Sequence, residues 1–506
     1  MSQLRALLLI GSAAFALAAC GADDVASPGE GVIVQPVNPT PPPVNPDPDP
    51  DPNEPGEVPT TCPTGTTNAG IFEGLRNCQL SGRITGNLNL PNVEGVIYSL
   101  SGGVRVGSDV GGDGNKAGGA QGILSIDPGV LIFGESGADF LLIERGSQIR
   151  AVGEAQKPIV FTSAANVRGE STASSIGQWG GLVILGRAPI HTCIGVGVQG
   201  GTAGCESQVE GADGFYGGAT ANDNSGRLEY VQVRYSGFEV TTGNELNGIT
   251  LAGVGSGTTI RNVQVHNSSD DGIEWFGGTV NGKYLVLTGI DDDSLDTDLG
   301  YRGVNQFVLV QQRTEGGDFV IEAESDGNDL LTPRSRPVFA NFTFLGNRTG
   351  AVVMMRGGTD YGLYNGVINS TTASACVQLR GQQTIAAANP AIEEEGPPVF
   401  ASVFMSCTKA SGIGHSSSSV TDQQVINILT GNNNVLGGTS TLTNTYFPGA
   451  NENAVPAFAT LSAVNPFLVN TDYVGAFRDA ADTWFAGWTC GLPGQTSCTA
   501  AARPIR

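Results

Sequence analysis

The chain has 506 residues and a formal net charge of -23 at pH 7, from 48 acidic and 25 basic side chains. A surface of this sign repels phosphate backbones, so the composition excludes nucleic acid as a natural partner and favours cations. Glycine contributes 74 residues, whereas charged residues make up 14% of the chain and aromatic residues 7%. This balance is typical of many short strands joined by tight turns.

The N-terminal segment predicts an exported protein with a lipid anchor. Arg5 precedes an apolar run from Ala6 to Leu17, and the segment ends in Leu-Ala-Ala-Cys at Cys20. The run is too short to cross a bilayer and is typical of a cleaved signal peptide, here residues 1–19. The cysteine at the cleavage point resembles a bacterial lipobox, which implies diacylation of Cys20. A plain signal peptide is the alternative.

A tether is predicted after the anchor, over residues 20–59. Gly21 and Ala22 follow the cysteine in place of Asp, which favours the outer membrane and leaves surface or periplasmic orientation open. The centre of the tether reads VNPTPPPVNPDPDPDPNEPGEVP. Proline removes amide donors and repeated aspartates repel each other, so this segment is predicted to be extended and disordered.

A repeated plan predicts the fold of the following chain. Between Thr258 and Glu324, alternating apolar runs, polar turns and second apolar steps recur at spacings near 22 residues. Alternation with period two predicts strands, and the longer period predicts coils that share a core with their neighbours. The sequence therefore predicts an all-β, right-handed parallel β-helix over residues 91–400, with an N-terminal cap over residues 60–90. A similarity at 17 residues between ILSIDPGVLIFG and LLIERGSQIRAVG predicts shorter first coils.

The same alignment predicts a column of stacked carboxylates. Glu274 falls on Asp296. In the turns before these residues, Asp270 falls on Asp292 and Asp271 on Asp293. Oxygen ligands on turns suit Ca²⁺, whereas the alternative is that the aspartates only supply turn geometry and stay hydrated. The candidate calcium ligands, the only cofactor site expected, are Asp270, Asp271, Glu274, Asp292, Asp293, Asp296 and Glu322.

Eight cysteines follow Cys20, and their even number in an exported protein predicts four disulfides. Sequential neighbours are the predicted partners. Metal binding is the alternative, but the chain has no Cys-x-x-Cys pair. The cysteines concerned are Cys62, Cys78, Cys193, Cys205, Cys376, Cys407, Cys490 and Cys498.

One loop and the C-terminal region complete the organisation. Phe215, Tyr216 and Asp223 lie in GADGFYGGATANDNSG and are candidate contacts for a sugar ligand, unless the loop is tucked onto the coils. Residues 401–506 are predicted to be an irregular region and cap. Its last part, DYVGAFRDAADTWFAGWTCGL, predicts a short helix and an aromatic plug formed by Phe477, Trp484, Phe485 and Trp488.

The strings KPIVFTS, WGGLVILGRAPI, GRLEYVQVRYSG, DDDSLD, TPRSRP and DYVGAF, with the long central string, support a family resemblance. Residues 96–488 are similar to bacterial β-helix surface lipoproteins, which include a leptospiral outer-membrane lipoprotein and relatives often encoded near TonB-dependent receptors. The resemblance implies a pectin-lyase-like fold and a lipid-anchored, exported state. A TonB-dependent receptor and a polysaccharide are the two candidate partners. It implies no catalytic residues.

The expected function is therefore noncatalytic ligand binding, or an accessory role at an outer-membrane transporter. A polysaccharide lyase or glycoside hydrolase is one alternative, because paired carboxylates on stacked coils can serve such chemistry. The coil after Asp293 offers Arg313 but neither His nor Lys, which departs from a polygalacturonase pattern. A structural or adhesive surface protein is the other alternative. Fold alone does not separate these classes.

Overall fold

Short apolar strands separated by glycine and asparagine turns wind the chain into a right-handed parallel β-helix. The computed structural model describes residues 58–325, 330–409 and 419–506. The predicted signal peptide, Cys20 and nearly all of the predicted tether lie outside these residues. Within them, no helix combines the length and the apolar character that a membrane crossing requires.

The first strands are β1 (Thr67–Phe72), β2 (Leu75–Ile84), β3 (Gly86–Leu90), β4 (Val96–Val106), β5 (Gly122–Ile126), β6 (Leu131–Gly134), β7 (Phe140–Ile143), β8 (Gln148–Val152), β9 (Ile159–Ser163) and β10 (Gly181–Leu185). The next are β11 (Ser207–Gln208), β12 (Phe215–Tyr216), β13 (Gly226–Arg234), β14 (Glu239–Thr241), β15 (Asn244–Glu245), β16 (Ile249–Ala252), β17 (Thr259–His266), β18 (Ile273–Phe276) and β19 (Asn281–Thr288).

The last strands are β20 (Leu295–Asp298), β21 (Val304–Gln311), β22 (Ile321–Ala323), β23 (Val338–Leu345), β24 (Ala351–Met355), β25 (Gly362–Asn369), β26 (Ala375–Leu379), β27 (Val399–Ser406) and β28 (Val435–Leu436). The short helices are α1 (Ala164–Arg168), α2 (Asp422–Leu429), α3 (Ala450–Asn453) and α4 (Leu461–Val464). Two 3₁₀ turns lie at Gln382–Ile385 and Pro390–Ile392.

Parallel pairing between coils creates three faces. Face A contains β7, β10, β16, β18, β20, β22, β24 and β26. The long strands β13, β17, β19, β21, β23, β25 and β27 contribute their first halves to face B and their second halves to face C. Each coil is therefore a triangle of three strands.

Strand pairing places the start of the β-helix earlier than residue 91. Arg76 in β2 already pairs in parallel with Val96 in β4, and β3 pairs with β5. The strand β1 pairs antiparallel with β2 and so lies outside the coil pattern, and the Cys62–Cys78 disulfide fastens the residues before β1 to this end. The prediction of 17-residue coils is wrong, because Ile126 pairs with Ala151. The alignment placed β5 on β7 and β6 on β8, but each of these pairs lies on two different faces of the triangle. The segments look alike because strands and turns alternate in the same way on every face.

Alternation points one side chain of every two into the core, and most of the outward side chains of β21, β23 and β25 are covered as well. On face C, five side chains in successive coils stand in exact register and are fully buried: Val265, Leu287, Val310, Phe344 and Ile368. Each coil thus shares its apolar core with its two neighbours, which stabilises the stack through burial of about 25 cal/mol per Å² of apolar surface.

One left-handed residue per coil makes the bend between faces B and C. Its φ lies between 50° and 63° in each case, a region that most side chains avoid but that Asn tolerates. Stacking fixes the bend in every coil, so aromatic residues also accept it. The bend residues are Tyr230, Asn262, Tyr284, Phe307, Asn341, Asn365 and Ser402.

A helix, and not the predicted aromatic plug, closes the C-terminal end of the β-helix. At the C-terminal end, Val425 and Leu429 of α2 are fully buried against the last coils. Thr421 caps α2 with a reciprocal capping box to Gln424. The region predicted to be irregular thus supplies the end cap.

The aromatic residues predicted to plug that end lie instead along the outside of face C. Phe477, Phe485 and Trp488 pack against Val286 and Leu309, which point outward from β19 and β21. The segment around them forms turns and no helix. These rings are part of residues 455–506, which we call the C-terminal strap.

Four disulfides join sequential cysteines, as predicted. Their Cα atoms lie 4.9 to 5.6 Å apart, a normal separation for a disulfide. The pairs are Cys62–Cys78, Cys193–Cys205, Cys376–Cys407 and Cys490–Cys498.

Candidate functional site

The predicted carboxylates stand on face A and on the turns that lead into it. Glu274 of β18 pairs in register with Asp296 of β20, which pairs with Glu322 of β22. Their neighbours Ile273 and Leu295 are fully buried in the core. Because side chains alternate along a strand, the three carboxylates are held on the outer surface of the sheet.

The preceding turns bring the aspartates into the same region. Asp271 accepts a hydrogen bond from the backbone N–H of Asp293 on the next coil at 3.0 Å. Asp293 in turn accepts one from the backbone N–H of Phe319. These two side chains therefore join successive turns, and the residues beside them, Asp270 and Asp292, are left more exposed.

All seven predicted side chains meet in three overlapping triplets. Within each triplet, the potential ligand oxygens lie within 4.8 Å of one another. The triplets are Asp270, Asp271 and Asp292; Asp271, Glu274 and Asp296; and Asp293, Asp296 and Glu322. We call this set of seven residues the acidic column.

Burial and mutual repulsion make the charged form of these groups costly. Burial, Glu245 and Asp292 raise the pKa of Asp270 to about 8. Burial, Asp318 and Glu322 raise the pKa of Asp292 to about 6. The other four groups with raised pKa values are shifted upward by burial first and by neighbouring carboxylates, and they are Asp271, Glu274, Asp293 and Asp296.

Besides the two backbone hydrogen bonds to Asp271 and Asp293, side chains compensate part of the charge of the acidic column. Arg356 pairs with Glu322 at 2.7 Å, and Asn247 donates a hydrogen bond to Glu274 at 2.6 Å. Between them, the Oδ1 atom of Asp296 is buried and has no hydrogen-bond partner among the described residues. The Oδ1 atom of Asn247 is buried and unpartnered in the same sense. The acidic column thus contains a buried carboxylate oxygen that no hydrogen bond satisfies among the described residues, although the charge of Arg356 opposes part of the upward pKa shift of Asp296.

Some members of this surface were missed from the sequence. Asp298 shares the outward side of β20 with Asp296, and the period-two alternation alone would have indicated it. Asn247 and Asp318 lie in the loops one coil before Asp271 and one coil after Asp292. Arg356 could not be placed by pattern, because its pairing with Glu322 depends on the register of β22 with β24.

The three predicted sugar contacts do not form an exposed platform. Tyr216 is 1% exposed and packs in a cluster with Leu185 and Phe276. Lys116 lies 5.4 Å from the centroid of the Phe215 ring. Asp223 is buried and pairs with Arg187 at 3.1 Å. The loop is tucked onto the coils, which is the alternative that the sequence left open.

Comparison with known proteins identifies the family to which the chain belongs. A protein-family model described as a pectate-lyase-like beta helix domain matches residues 113–489. This span is more than half of the chain and contains the whole acidic column. Comparisons with curated proteins and with solved structures return no match. The chain therefore belongs to the family of pectate-lyase-like β-helix domains.

Proposed function

We propose that this protein is a noncatalytic binding protein of the bacterial cell envelope, and that a divalent cation in the acidic column forms part of its binding surface. The observation that carries the proposal is the set of stacked carboxylates with the unpartnered Oδ1 of Asp296 at its centre. Lipid attachment at Cys20 and docking on an outer-membrane transporter belong to the same proposal, and they rest on the sequence motif and the family resemblance.

A cation offsets the electrostatic cost of the acidic column. Stacked carboxylates must otherwise bind protons or repel each other, as the raised pKa values of Asp270 and Asp292 indicate. Oxygen atoms from Asp, Glu and Asn side chains are the ligands that Ca²⁺ prefers, and a turn-based site suits its flexible coordination. The side chains present therefore fit calcium better than zinc, which favours nitrogen and sulfur ligands.

Thermal unfolding with added Ca²⁺ or with chelator tests this proposal. Ligand binding to the native state alone raises stability by about 2.7 kcal/mol when the ligand is at 100 times its dissociation constant. We therefore expect the melting temperature to rise with calcium. The double variant Asp292→Asn with Asp296→Asn should lose this response.

The matched control is Glu94→Gln with Glu170→Gln, which removes two exposed carboxylates outside the acidic column. This control should keep the calcium response of the native chain. A native melting temperature that does not change between calcium and chelator would refute the cation proposal. An equal loss of response in the control would assign the effect to general charge screening.

Hydrolase or lyase activity is the competing function that deserves measurement. Two neighbouring carboxyl groups with different pKa values, Asp270 and Asp292, are an arrangement that glycosidases use. Binding is favoured because Arg356, the basic group at the acidic column, already pairs with Glu322 and Glu324. Release of reducing or unsaturated ends from acidic polysaccharides by the purified protein would replace the binding proposal with an enzymatic one.

A further inference from the structure

A cavity of about 340 Å³ opens on face B, where the turns that leave face A enter four successive long strands. This volume lies in the range of about 300–1,000 Å³ that small-molecule sites occupy. Its floor includes Val338 and Val399, the first residues of β23 and β27. The residues after them are buried in the core, so both valines lie outward by alternation. Val399 is 43% exposed, so the floor offers apolar surface. We call this cavity the arginine pocket.

The C-terminal strap forms one wall of the arginine pocket, through Val464 and Asn465. Leu461 and Leu468, on either side of these residues, are buried in a cluster with outward side chains of face B. The strap therefore covers the neighbouring part of face B and leaves the valine floor open beside it. A wall that is formed before a ligand arrives reduces the loss of conformational freedom on binding.

The opposite wall carries two arginines on adjacent coils, Arg302 and Arg336. Each lies two residues before the first residue of its strand, β21 or β23, so it continues the outward column of the floor. The backbone N–H of Arg336 donates to the carbonyl of Tyr301, which places the two arginines about 4.8 Å apart along the stack. Burial and then repulsion from Arg302 lower the pKa of Arg336. A carboxylate placed between the two guanidinium groups would relieve this repulsion.

Both arginines are accessible, although each already has a partner. Their side chains are 24% and 39% exposed, and they pair with Glu393 and Glu395, whose side chains are 46% and 62% exposed. Exposed ion pairs contribute little to stability, and a guanidinium group has more N–H donors than one carboxylate accepts. Arg302 and Arg336 therefore keep donors that a ligand can use.

A buried acceptor, Asp360, lines the arginine pocket on the next coil. Asp360 is 3% exposed, and its Oδ1 atom has no hydrogen-bond partner among the described residues. Arg334 pairs with this carboxylate, with 3.4 Å between Nε and Oδ1, and the backbone N–H of Glu395 donates to Oδ2 at 3.1 Å. The arginine pocket thus presents charges of both signs beside an apolar floor.

We propose that the arginine pocket binds an aliphatic α-amino acid. Arg302 and Arg336 hold its carboxylate, because paired guanidinium groups offer charge-assisted hydrogen bonds. Its ammonium group faces the carboxylates of Asp360 and Glu395. The aliphatic side chain buries apolar surface on the valine floor. A ligand with a single charge would leave one sign of the wall unmatched. This inference goes beyond the cation site of the acidic column and does not depend on it.

Calorimetric titration with L-leucine in the presence of a metal chelator tests the inference. Three comparison compounds each lack one feature: isocaproate lacks the ammonium group, isoamylamine lacks the carboxylate, and glycine lacks the side chain. We expect saturable binding of leucine that is at least about tenfold tighter than binding of any of the three. No saturable binding of leucine, or an equal affinity for any of the comparison compounds, would overturn the proposal.

Two variants at accessible positions locate the site. Arg336→Gln should weaken leucine binding about tenfold or more, because it removes one of the two guanidinium groups. Val399→Thr replaces a methyl group of the floor by a hydroxyl group and should weaken binding several-fold. Arg168→Gln is the matched control, since Arg168 is 41% exposed and pairs with Glu170 outside the pocket. This control should keep leucine binding. Undiminished binding in either Arg336→Gln or Val399→Thr would contradict the assignment to this pocket.

Discussion

Individual carboxyl groups of the acidic column change their protonation energy when the chain folds. The pKa of Asp270 rises from 3.8 to about 8 and that of Asp292 from 3.8 to about 6, first because they are buried and then because other carboxylates surround them. The folded chain therefore binds protons more tightly than the unfolded chain between these values. By linkage, stability then falls as pH rises through this window.

We expect the metal-free protein to lose thermal stability progressively from about pH 4 to about pH 8. Calcium should reduce this loss, because it stabilises the ionised column. Asp270→Asn with Asp292→Asn should flatten the profile, measured as melting temperature against pH in chelator. Asp109 does not contribute to this loss, because its pKa lies below the window. Hydrogen bonds from Arg145 and Lys116 outweigh burial and lower the pKa of Asp109 to about 2. A native profile that rises over the same window would contradict the prediction.

At the scale of elements, the C-terminal strap is attached by side-chain amides of the coils. It runs back along the β-helix: Gln306 bonds Val469, Gln264 bonds Cys490, and the backbone of Gly129 bonds Ile505. Gln264 is fully buried and makes two hydrogen bonds to Cys490, each 2.9 Å long. The backbone of the strap has no neighbouring strand here, and side-chain amides from the coils supply its hydrogen-bond partners instead.

Gln264→Leu keeps the side-chain volume but leaves the N–H and C=O groups of Cys490 without partners. Each buried unsatisfied group costs about 1–3 kcal/mol, so we expect a clear loss of stability and faster amide exchange in residues 484–498. Chemical denaturation and hydrogen exchange measure the two effects. Gln423→Leu on the exposed side of α2 is the control and should change stability by about 0.5 kcal/mol or less. Unchanged exchange in the strap would show that its attachment depends on the aromatic contacts instead.

The stacked bends show how neighbouring elements impose backbone conformation. Asn341 and Asn365 occupy equivalent bend positions in successive coils, as their 24-residue spacing indicates. Their side-chain amides hydrogen-bond to the backbone of another segment. Asn341 donates to the carbonyl of Tyr473 and Asn365 to that of Phe458, and both acceptors lie in the strap. The bend residues thus serve the strap as well as the coil.

For the whole molecule, the proposed lipid anchor determines where the acidic column acts. Cys20→Ala should prevent acylation and shift the protein from the membrane fraction to the soluble fraction. Cell fractionation and detergent phase partitioning measure this shift, and Ala22→Gly, two residues further on, is the control that should remain membrane-bound. Membrane association that survives Cys20→Ala would refute the anchor. Protease treatment of intact cells then distinguishes surface from periplasmic orientation.

The sequence by itself determined the features that repeat from one coil to the next. Alternation separated inward Val265 and Leu287 from their outward neighbours, and the 22-residue spacing placed Glu274 on Asp296, because a parallel β-helix pairs residues one period apart. Even parity and proximity along the chain were enough to pair the cysteines. The acidic column was therefore predictable as a list of residues, although its pKa values and unpartnered oxygen were not.

Tertiary structure alone decided the features that have no period. The strap crosses many coils, so its contacts join residues more than 200 positions apart, such as Gln264 and Cys490. Three further features depend on which surface remains uncovered once the coils have stacked. They are the burial of Tyr216, the end cap formed by α2 and the ion pair between Arg356 and Glu322. A repeat encodes contacts between adjacent coils, whereas a segment that packs once on the finished surface is selected by shape, apolar area and hydrogen bonds that only the folded chain presents.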